Sequence, residues 1–155
     1  MKKIIIGMFI IAGVVQAFPS NKNSNIFIKE DAVKIVPAES RKLVFDKEGY
    51  LFTGTIYSDI KDVVNGSNSE CVKITEIKNG YMSGLEIIIE KESYKELRVI
   101  SYIGNLQNGP MKLRNQYLIY DNGRGKDNIK ITEEEKKELD KKIEKLINDY
   151  KKKQR

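Results

Sequence analysis

The chain contains no histidine, no tryptophan and a single cysteine among its 155 residues. Histidine is the usual general base for serine and cysteine nucleophiles and the commonest transition-metal ligand, so its absence removes the usual machinery of both kinds of site. A lone cysteine cannot form an internal disulfide, so the hydrophobic core must hold the fold together. We interpret Cys71 as a small apolar side chain in a strand. A reactive thiol or an interchain disulfide is the alternative.

The first 17 residues show the order of features that marks a cleavable secretory signal peptide. Two lysines near the start are followed by the uncharged apolar stretch Ile4 to Val15, which is too short to span a bilayer. Small or modest side chains follow, and we predict cleavage between Ala17 and Phe18. The alternatives are the first strand or helix of a cytoplasmic domain, and a retained N-terminal anchor. The sequence therefore predicts an exported protein that is periplasmic, at the cell surface or secreted.

The chain lacks a strong imbalance of charge. Its formal net charge is +6, and losing the two leader lysines, Lys2 and Lys3, leaves about +4 on about 138 residues. This excess is too small to favour nucleic acid as a partner. Part of it lies in Lys151 to Arg155, which is consistent with weak association with acidic surfaces. The Lys-, Ile- and Asn-rich composition is typical of a bacterium with an AT-rich genome.

Residues 43–123 alternate β-rich runs with turn signals, whereas residues 18–42 are interpreted as an N-terminal tether and entry strand. Asn-Gly pairs occur at 65–66, 79–80, 108–109 and 122–123. A type I′ turn needs positive φ at both central residues, and Asn-Gly tolerates this best. We therefore predict a mainly β fold, an antiparallel meander of hairpins. The predicted strands are 50–60, 72–78, 85–90, 94–103, 111–113 and 116–120.

Residues 131–153 carry a helical pattern instead. Thr132 and Glu135 have the spacing of a capping box, with acidic residues in the first turn and lysines in the last. Five apolar side chains recur at helical spacing and predict a C-terminal amphipathic helix that docks on the sheet. A partner-binding or dimerising helix is the alternative. The apolar side chains are Leu139, Ile143, Leu146, Ile147 and Tyr150.

Three segments of the β region look alike, at residues 48–57, 77–86 and 102–111. Each has a turn with glycine, then an apolar residue, then a second glycine, which falls at Gly54, Gly84 and Gly109. A single hairpin cannot bury its own face, so such units must stack edge to edge. The segment Ile77 to Gly84 resembles the variant MORN repeat of bacterial proteins labelled YwqK-type toxin–antitoxin antitoxins. The resemblance covers about residues 44–113.

The resemblance implies a curved antiparallel sheet of hairpins and a module that contacts a protein or a lipid. An antitoxin would imply a neutralised protein partner, although antitoxins work in the cytoplasm and this chain carries an export signal.

Candidate catalytic groups form no recognisable motif. The glycine turn from Gly123 to Lys126 lacks P-loop spacing. Asp59, Asp62 and Asn65 lack EF-hand spacing. Paired carboxylates could hydrolyse a glycan, but charged side chains on the wet face of a sheet are the ordinary explanation. We therefore predict no catalytic residues, no metal ligands and no cofactor. The acidic residues considered are Asp46, Glu48, Asp59, Asp62, Glu70, Glu76, Glu86 and Glu90.

Several tyrosines of the β region are candidates for partner binding. Tyr57, Tyr81, Tyr94 and Tyr102 would form an aromatic strip on one sheet face, where a protein or envelope component could bind. Core packing under the C-terminal helix is the alternative. The sequence thus favours an exported, non-catalytic binding module of MORN-variant repeats. An antitoxin- or immunity-like neutraliser is the first alternative, and a cell-envelope hydrolase acting through carboxylates is the second.

Overall fold

A computed structural model of the chain describes residues 26–38, 41–64, 67–114, 116–126 and 130–155. These residues form a mainly β structure with a 3₁₀ turn at Glu30–Ala32 and one C-terminal α-helix. The elements are β1 Phe27–Lys29, β2 Lys34–Ala38, β3 Arg41–Phe45, β4 Gly54–Val64, β5 Ser67–Lys78, β6 Tyr81–Glu90, β7 Glu96–Ile103, β8 Leu106–Leu113, β9 Gln116–Asp121, β10 Arg124–Gly125 and α1 Glu133–Lys153.

Eight of these strands form one sheet in the order β1-β4-β5-β6-β7-β8-β9-β10. From β4 to β10 each strand pairs antiparallel with the next, so the predicted meander of hairpins is confirmed. The N-terminal β1 adds a parallel edge beside β4. Strands β2 and β3 form a separate two-stranded sheet, called the ribbon below. The predicted boundary at residue 43 therefore falls inside β3.

Three hairpin turns each form a backbone hydrogen bond of the same kind to a residue that comes earlier in the chain. The second residue of each turn donates its N–H to an earlier carbonyl: Gly80 to Phe52 at 2.8 Å, Asn105 to Met82 at 2.9 Å and Gly123 to Gln107 at 2.8 Å. Both central residues of each turn have positive φ, as a type I′ turn requires. The turns thus stack along one end of the sheet and fix the stagger between successive hairpins.

The Asn-Gly predictions have three outcomes. The pairs at 79–80 and 122–123 are turns as predicted, and Asn65-Gly66 lies outside the described residues. The prediction at 108–109 is wrong, because these residues lie inside β8 and the turn before it is Gly104-Asn105. Gly109, with φ of 97°, instead occupies a register shift between β7 and β8. Its positive φ serves a bulge, which a turn-type pair can also provide.

One sheet face carries the main core and is covered by α1. Alternate residues of the central strands point to this side, and they meet the predicted apolar stripe of the helix. The helix contributes Leu139, Ile143, Leu146, Ile147 and Tyr150, all at most 8% exposed. The docking of the helix on its own sheet is therefore confirmed. Sheet residues of this core are Val72, Ile74, Leu85, Ile87, Ile89 and Val99.

The helix is also held by a polar latch near its middle. The ammonium group of Lys112 on β8 lies 2.7 Å from Glu96 and 2.9 Å from Asp140 of α1. Tyr117 on β9 donates its hydroxyl hydrogen to Asp140 at 3.0 Å. Burial alone would lower the pKa of Lys112, but its hydrogen bonds to Glu96 and Asp140 outweigh this and raise it. The latch fixes where α1 crosses β8 and β9.

The opposite sheet face carries a smaller core beneath the ribbon. Val44 of β3 packs with Phe52, Ile56 and Ile77, all at most 5% exposed. Ile56 is followed along β4 by Tyr57, which packs against the helix-side core, so the two clusters lie on opposite faces. We call the two sides the helix face and the ribbon face.

Candidate functional site

The register of β7, β8 and β9 assigns their side chains to the two faces. Val99 belongs to the helix-face core, and it pairs with Lys112, which pairs with Tyr117. The neighbouring row is Ile100, Met111 and Leu118, and it must therefore point to the ribbon face. The same alternation places Tyr102 and Leu113 on the ribbon face as well.

These five residues form what we call the exposed patch: Ile100, Tyr102, Met111, Leu113 and Leu118. Leu113 and Leu118 are 41% and 38% exposed, Met111 and Tyr102 are half-buried, and Ile100 is buried at their base. The small core of the ribbon lies instead over β4 and β5. A row of large apolar side chains thus remains in contact with solvent across three adjacent strands.

Arg98 lies at one end of this patch. It pairs with Ile88 on β6 and with Leu113 on β8, so its side chain starts between two apolar neighbours on the ribbon face. The residue is half-buried, and its Nε atom is buried without a hydrogen-bond partner among the described residues. Glu86 lies on the same face, opposite Ile100, but forms no salt bridge with Arg98. A guanidinium group therefore stands unpaired beside an apolar surface.

Tyr102 is the one predicted binding residue that the structure places in the exposed patch. It pairs with Gln107 across β8 and with Gly84 across β6. Burial, followed by the negative charge of Glu86, raises the pKa of its phenol, so Tyr102 stays a neutral donor near neutral pH. Its ring and hydroxyl thus offer apolar contact and a hydrogen bond at the same point.

Tyr57 and Tyr94 lie under the helix instead. The ring of Tyr57 is stacked on Phe27 at 5.7 Å and meets the edge of Tyr150 at 5.3 Å. Tyr94 lies 6.3 Å from the same Tyr150 ring, and the ammonium of Lys151 stands 4.6 Å above its ring. These two residues follow the core-packing alternative, so they do not join Tyr102 in one strip.

The remaining predicted sites are separate from these. Tyr81 opens β6, is half-buried and pairs with Lys78 beside the turn at 79–80. The predicted cleavage pair, Ala17 and Phe18, lies outside the described residues.

A groove of about 1170 Å³ runs between one side of α1 and the turn ends of β6 to β8. Its walls carry charges of both signs, and several of these pair with each other. Lys142 lies 2.7 Å from Glu138, and Lys152 lies 3.4 Å from Asp149. These pairs compensate one another, so the groove shows no marked preference for a ligand of one charge.

The carboxylates of the β region are largely engaged in structural contacts. Asp59 lies 2.9 Å from the ammonium of Lys91, and Glu76 accepts the N–H of Leu85 at 2.7 Å. Within the described ranges, no three His, Cys, Asp or Glu side chains are grouped as a metal site would require. Cys71 is 1% exposed, and burial followed by the charge of Asp62 raises the pKa of its thiol. Its environment fits the interpretation of a small core side chain.

Comparison of the chain with protein-family models, curated proteins and solved structures finds no match. In the part of the chain that the structure describes, no helix has the length and apolar character needed to cross a membrane.

Sequence reasoning named Tyr102 but missed Arg98, Leu113 and Leu118. Tyrosine attracts attention as an interface residue, whereas a single arginine or leucine in a strand has no motif. The missing signal was the register, since Val99 is buried under the helix and its neighbours must face the other way.

Proposed function

We propose that this protein is an exported, non-catalytic binding module that holds a partner protein against the exposed patch. Export rests on the predicted signal peptide at residues 1–17. The binding role rests on one observation above all: large apolar side chains are aligned across β7, β8 and β9 in contact with solvent. Contiguous apolar patches of this kind, rimmed by polar residues, are typical of protein interaction sites.

The design of the sheet supports this proposal. The helix covers one face and the ribbon covers part of the other, so the fold already has its core without the exposed patch. The 41% of Leu113 and the 38% of Leu118 that remain in solvent add nothing to folding, because only buried apolar area stabilises a fold. A partner that covered them would supply that burial at the interface.

Two other surfaces give weaker support to a function. The charges in the groove beside α1 are partly paired with each other, and a ligand there would have to displace those pairs. A carboxylate hydrolase needs two free acids facing a cleft. Asp59 and Glu76 are instead engaged by Lys91 and by a backbone N–H. Both observations favour binding through the exposed patch.

The proposal can be tested by site-specific photocrosslinking in the cells that produce the protein. Benzoylphenylalanine replaces Leu118 in the exposed patch, and replaces Lys137 on the solvent side of α1 in a matched control. We expect a discrete adduct of defined mass from position 118 and none from position 137. Adding the substitution Leu113→Ser should abolish the adduct. Equal labelling from both positions, or none from position 118, would show that the exposed patch is not a binding site.

A further inference from the structure

The unpaired guanidinium of Arg98, beside the exposed patch, indicates which chemical group a partner must place there. On the basis of the proposed function, we propose that Arg98 is an anion anchor, that is, a residue that binds a negatively charged group of the partner. The partner is then a protein segment in which an aspartate or glutamate lies among apolar side chains. The carboxylate would pair with Arg98 while its apolar neighbours cover Leu113, Met111 and Leu118.

Arg98 has a hydrogen-bond donor that the described residues do not supply with an acceptor. A guanidinium carries five N–H donors in a fixed fork, and it stays charged at every physiological pH. Its Nε is buried without an acceptor in the described residues. A buried donor that lacks a partner costs free energy, and a charged one costs more. A carboxylate that reached this atom, with the side chain turned toward the partner, would remove that cost.

The Arg98 side chain lies beside buried apolar residues. Ile88 beside it is 1% exposed, and Ile100 two residues along β7 is 6% exposed. Once a partner covers Leu113 as well, the guanidinium is surrounded by apolar groups. A charge-assisted pair is stronger in such a site than in water, and an arginine can bind a carboxylate through two parallel hydrogen bonds. Glu86 is an acid on the same face, but it forms no salt bridge with Arg98, and its charge raises the pKa of Tyr102.

The charges at the exposed patch favour a protein partner over a membrane. Recognition of acidic lipid surfaces normally takes a cluster of four to eight lysines and arginines. Among the residues that the register assigns to the ribbon face of β7, β8 and β9 at the exposed patch, Arg98 is the one cation, and the apolar row is as wide as three adjacent strands. One cation set against several apolar side chains suits one acidic side chain in an apolar segment.

The test selects peptides from a displayed random library on the protein purified from cells that export it. We expect the enriched sequences to combine apolar residues with at least one Asp or Glu. For a synthetic peptide from the selection, replacing that acid by its amide should weaken binding about tenfold or more, as expected for a hydrogen bond between charged groups. On the variant Arg98→Gln the same replacement should have no further effect. Arg98→Lys should recover only part of the affinity, because it lacks the fork.

Each result separates this inference from the proposed function. If Leu118→Ser abolishes binding while the acid and Arg98 make no difference, the exposed patch binds but the anion anchor is wrong. If Leu118→Ser has no effect, the proposed function itself fails. Arg98-dependent binding to phosphatidylglycerol vesicles without acidic peptides would replace the protein partner by a membrane. Dimers that Leu118→Ser dissociates would replace it by a second copy. If circular dichroism shows that Arg98→Gln does not fold, replacing the acid of the peptide by its amide still tests the anion anchor on the parent protein.

Discussion

The sheet has no room for a side chain at Gly84. Its φ is 118°, and a Cβ there would stand 2.9 Å from the Cβ of Glu76. Gly123 has φ of 80°, with nothing within 4 Å of such a Cβ. Gly123→Ala should therefore cost only about 1 kcal/mol of backbone strain. Gly84→Ala should cost about 2–4 kcal/mol, because Glu76 must also move from the N–H of Leu85.

Urea unfolding of both glycine variants checks this difference. The urea concentration at the unfolding midpoint should fall further for Gly84→Ala, while the slope of the unfolding free energy against urea concentration stays constant. Equal losses of stability would mean that φ alone accounts for both positions and that the contact with Glu76 is unimportant.

The contribution of Lys112 to the stability of the protein should change with pH only in strongly alkaline solution. Its folded-state pKa is raised, so its contribution is fully present below the unfolded pKa of about 10.4 and is lost as pH rises through the folded value. Lys112→Met should cost about 1 kcal/mol at neutral pH, since Asp140 is half exposed and screened by water. The difference in unfolding free energy should stay constant from neutral pH to about pH 9.5 and shrink above about pH 10.4.

The measurement is urea unfolding of both proteins across that pH range. A difference that already shrinks between neutral pH and about pH 9 would show that another group controls the latch.

Residue-level chemistry was the part of this molecule that the sequence revealed least. The interpretation of Cys71 was right because its strand is rich in β-branched residues, and a lone thiol there is most simply buried. The aromatic strip was split, because Tyr57 and Tyr102 fall on opposite faces of one sheet. Register depends on bulges, such as those at Gly84 and Gly109, and these are set by contacts between distant residues.

At the scale of elements, α1 begins with the capping box that its sequence predicts. Thr132 accepts the N–H of Glu135 at 3.2 Å, and Glu135 accepts the N–H of Thr132 at 2.7 Å. Thr132→Ala removes the side-chain acceptor and should lower stability by about 1 kcal/mol. Thr132→Ser keeps the hydroxyl and should stay within a few tenths of a kcal/mol of the parent. Thermal or urea unfolding compares the three proteins, and equal loss in both variants would show that the methyl group matters and the cap does not.

The helix was predictable because its signals are local. A capping box, a stripe of period 3.6 and the charge order all lie within one segment, and the observed bounds Glu133–Lys153 match the predicted 131–153 closely. The strands were predictable in kind but not in pairing. The single entry strand predicted within residues 18–42 is instead two strands, because β1 joins β4 as a parallel edge and β2 pairs with β3. Parallel pairing depends on contacts far along the chain, and no local pattern specifies it.

At the scale of the whole molecule, one arrangement explains both what holds the fold and what is left for a partner. The helix α1 covers the helix face and partly buries Tyr57 and Tyr94, and the ribbon covers the start of the other face. The strands nearest the C-terminal edge of the sheet keep an apolar row without such a cover. The solvent-exposed surface that Leu113 and Leu118 keep there fits the binding role proposed for the exposed patch.

The cellular location of the protein is the remaining prediction for the whole chain, and it decides where a partner should be sought. Signal peptidase accepts small side chains at the position before the cut, so the exported protein should begin at Phe18. Ala17→Phe should block processing and leave the leader attached, whereas Gln16→Ala, at a position that is not read, should be cleaved normally. Mass spectrometry of the exported chain distinguishes these forms. An intact Met1 on the parent protein would overturn the cleavage prediction. An uncleaved chain in the membrane fraction would point to the retained N-terminal anchor and keep the partner at the cell envelope. An uncleaved chain in the cytoplasm would move the search for an acidic, apolar partner there, where the antitoxin alternative would again apply.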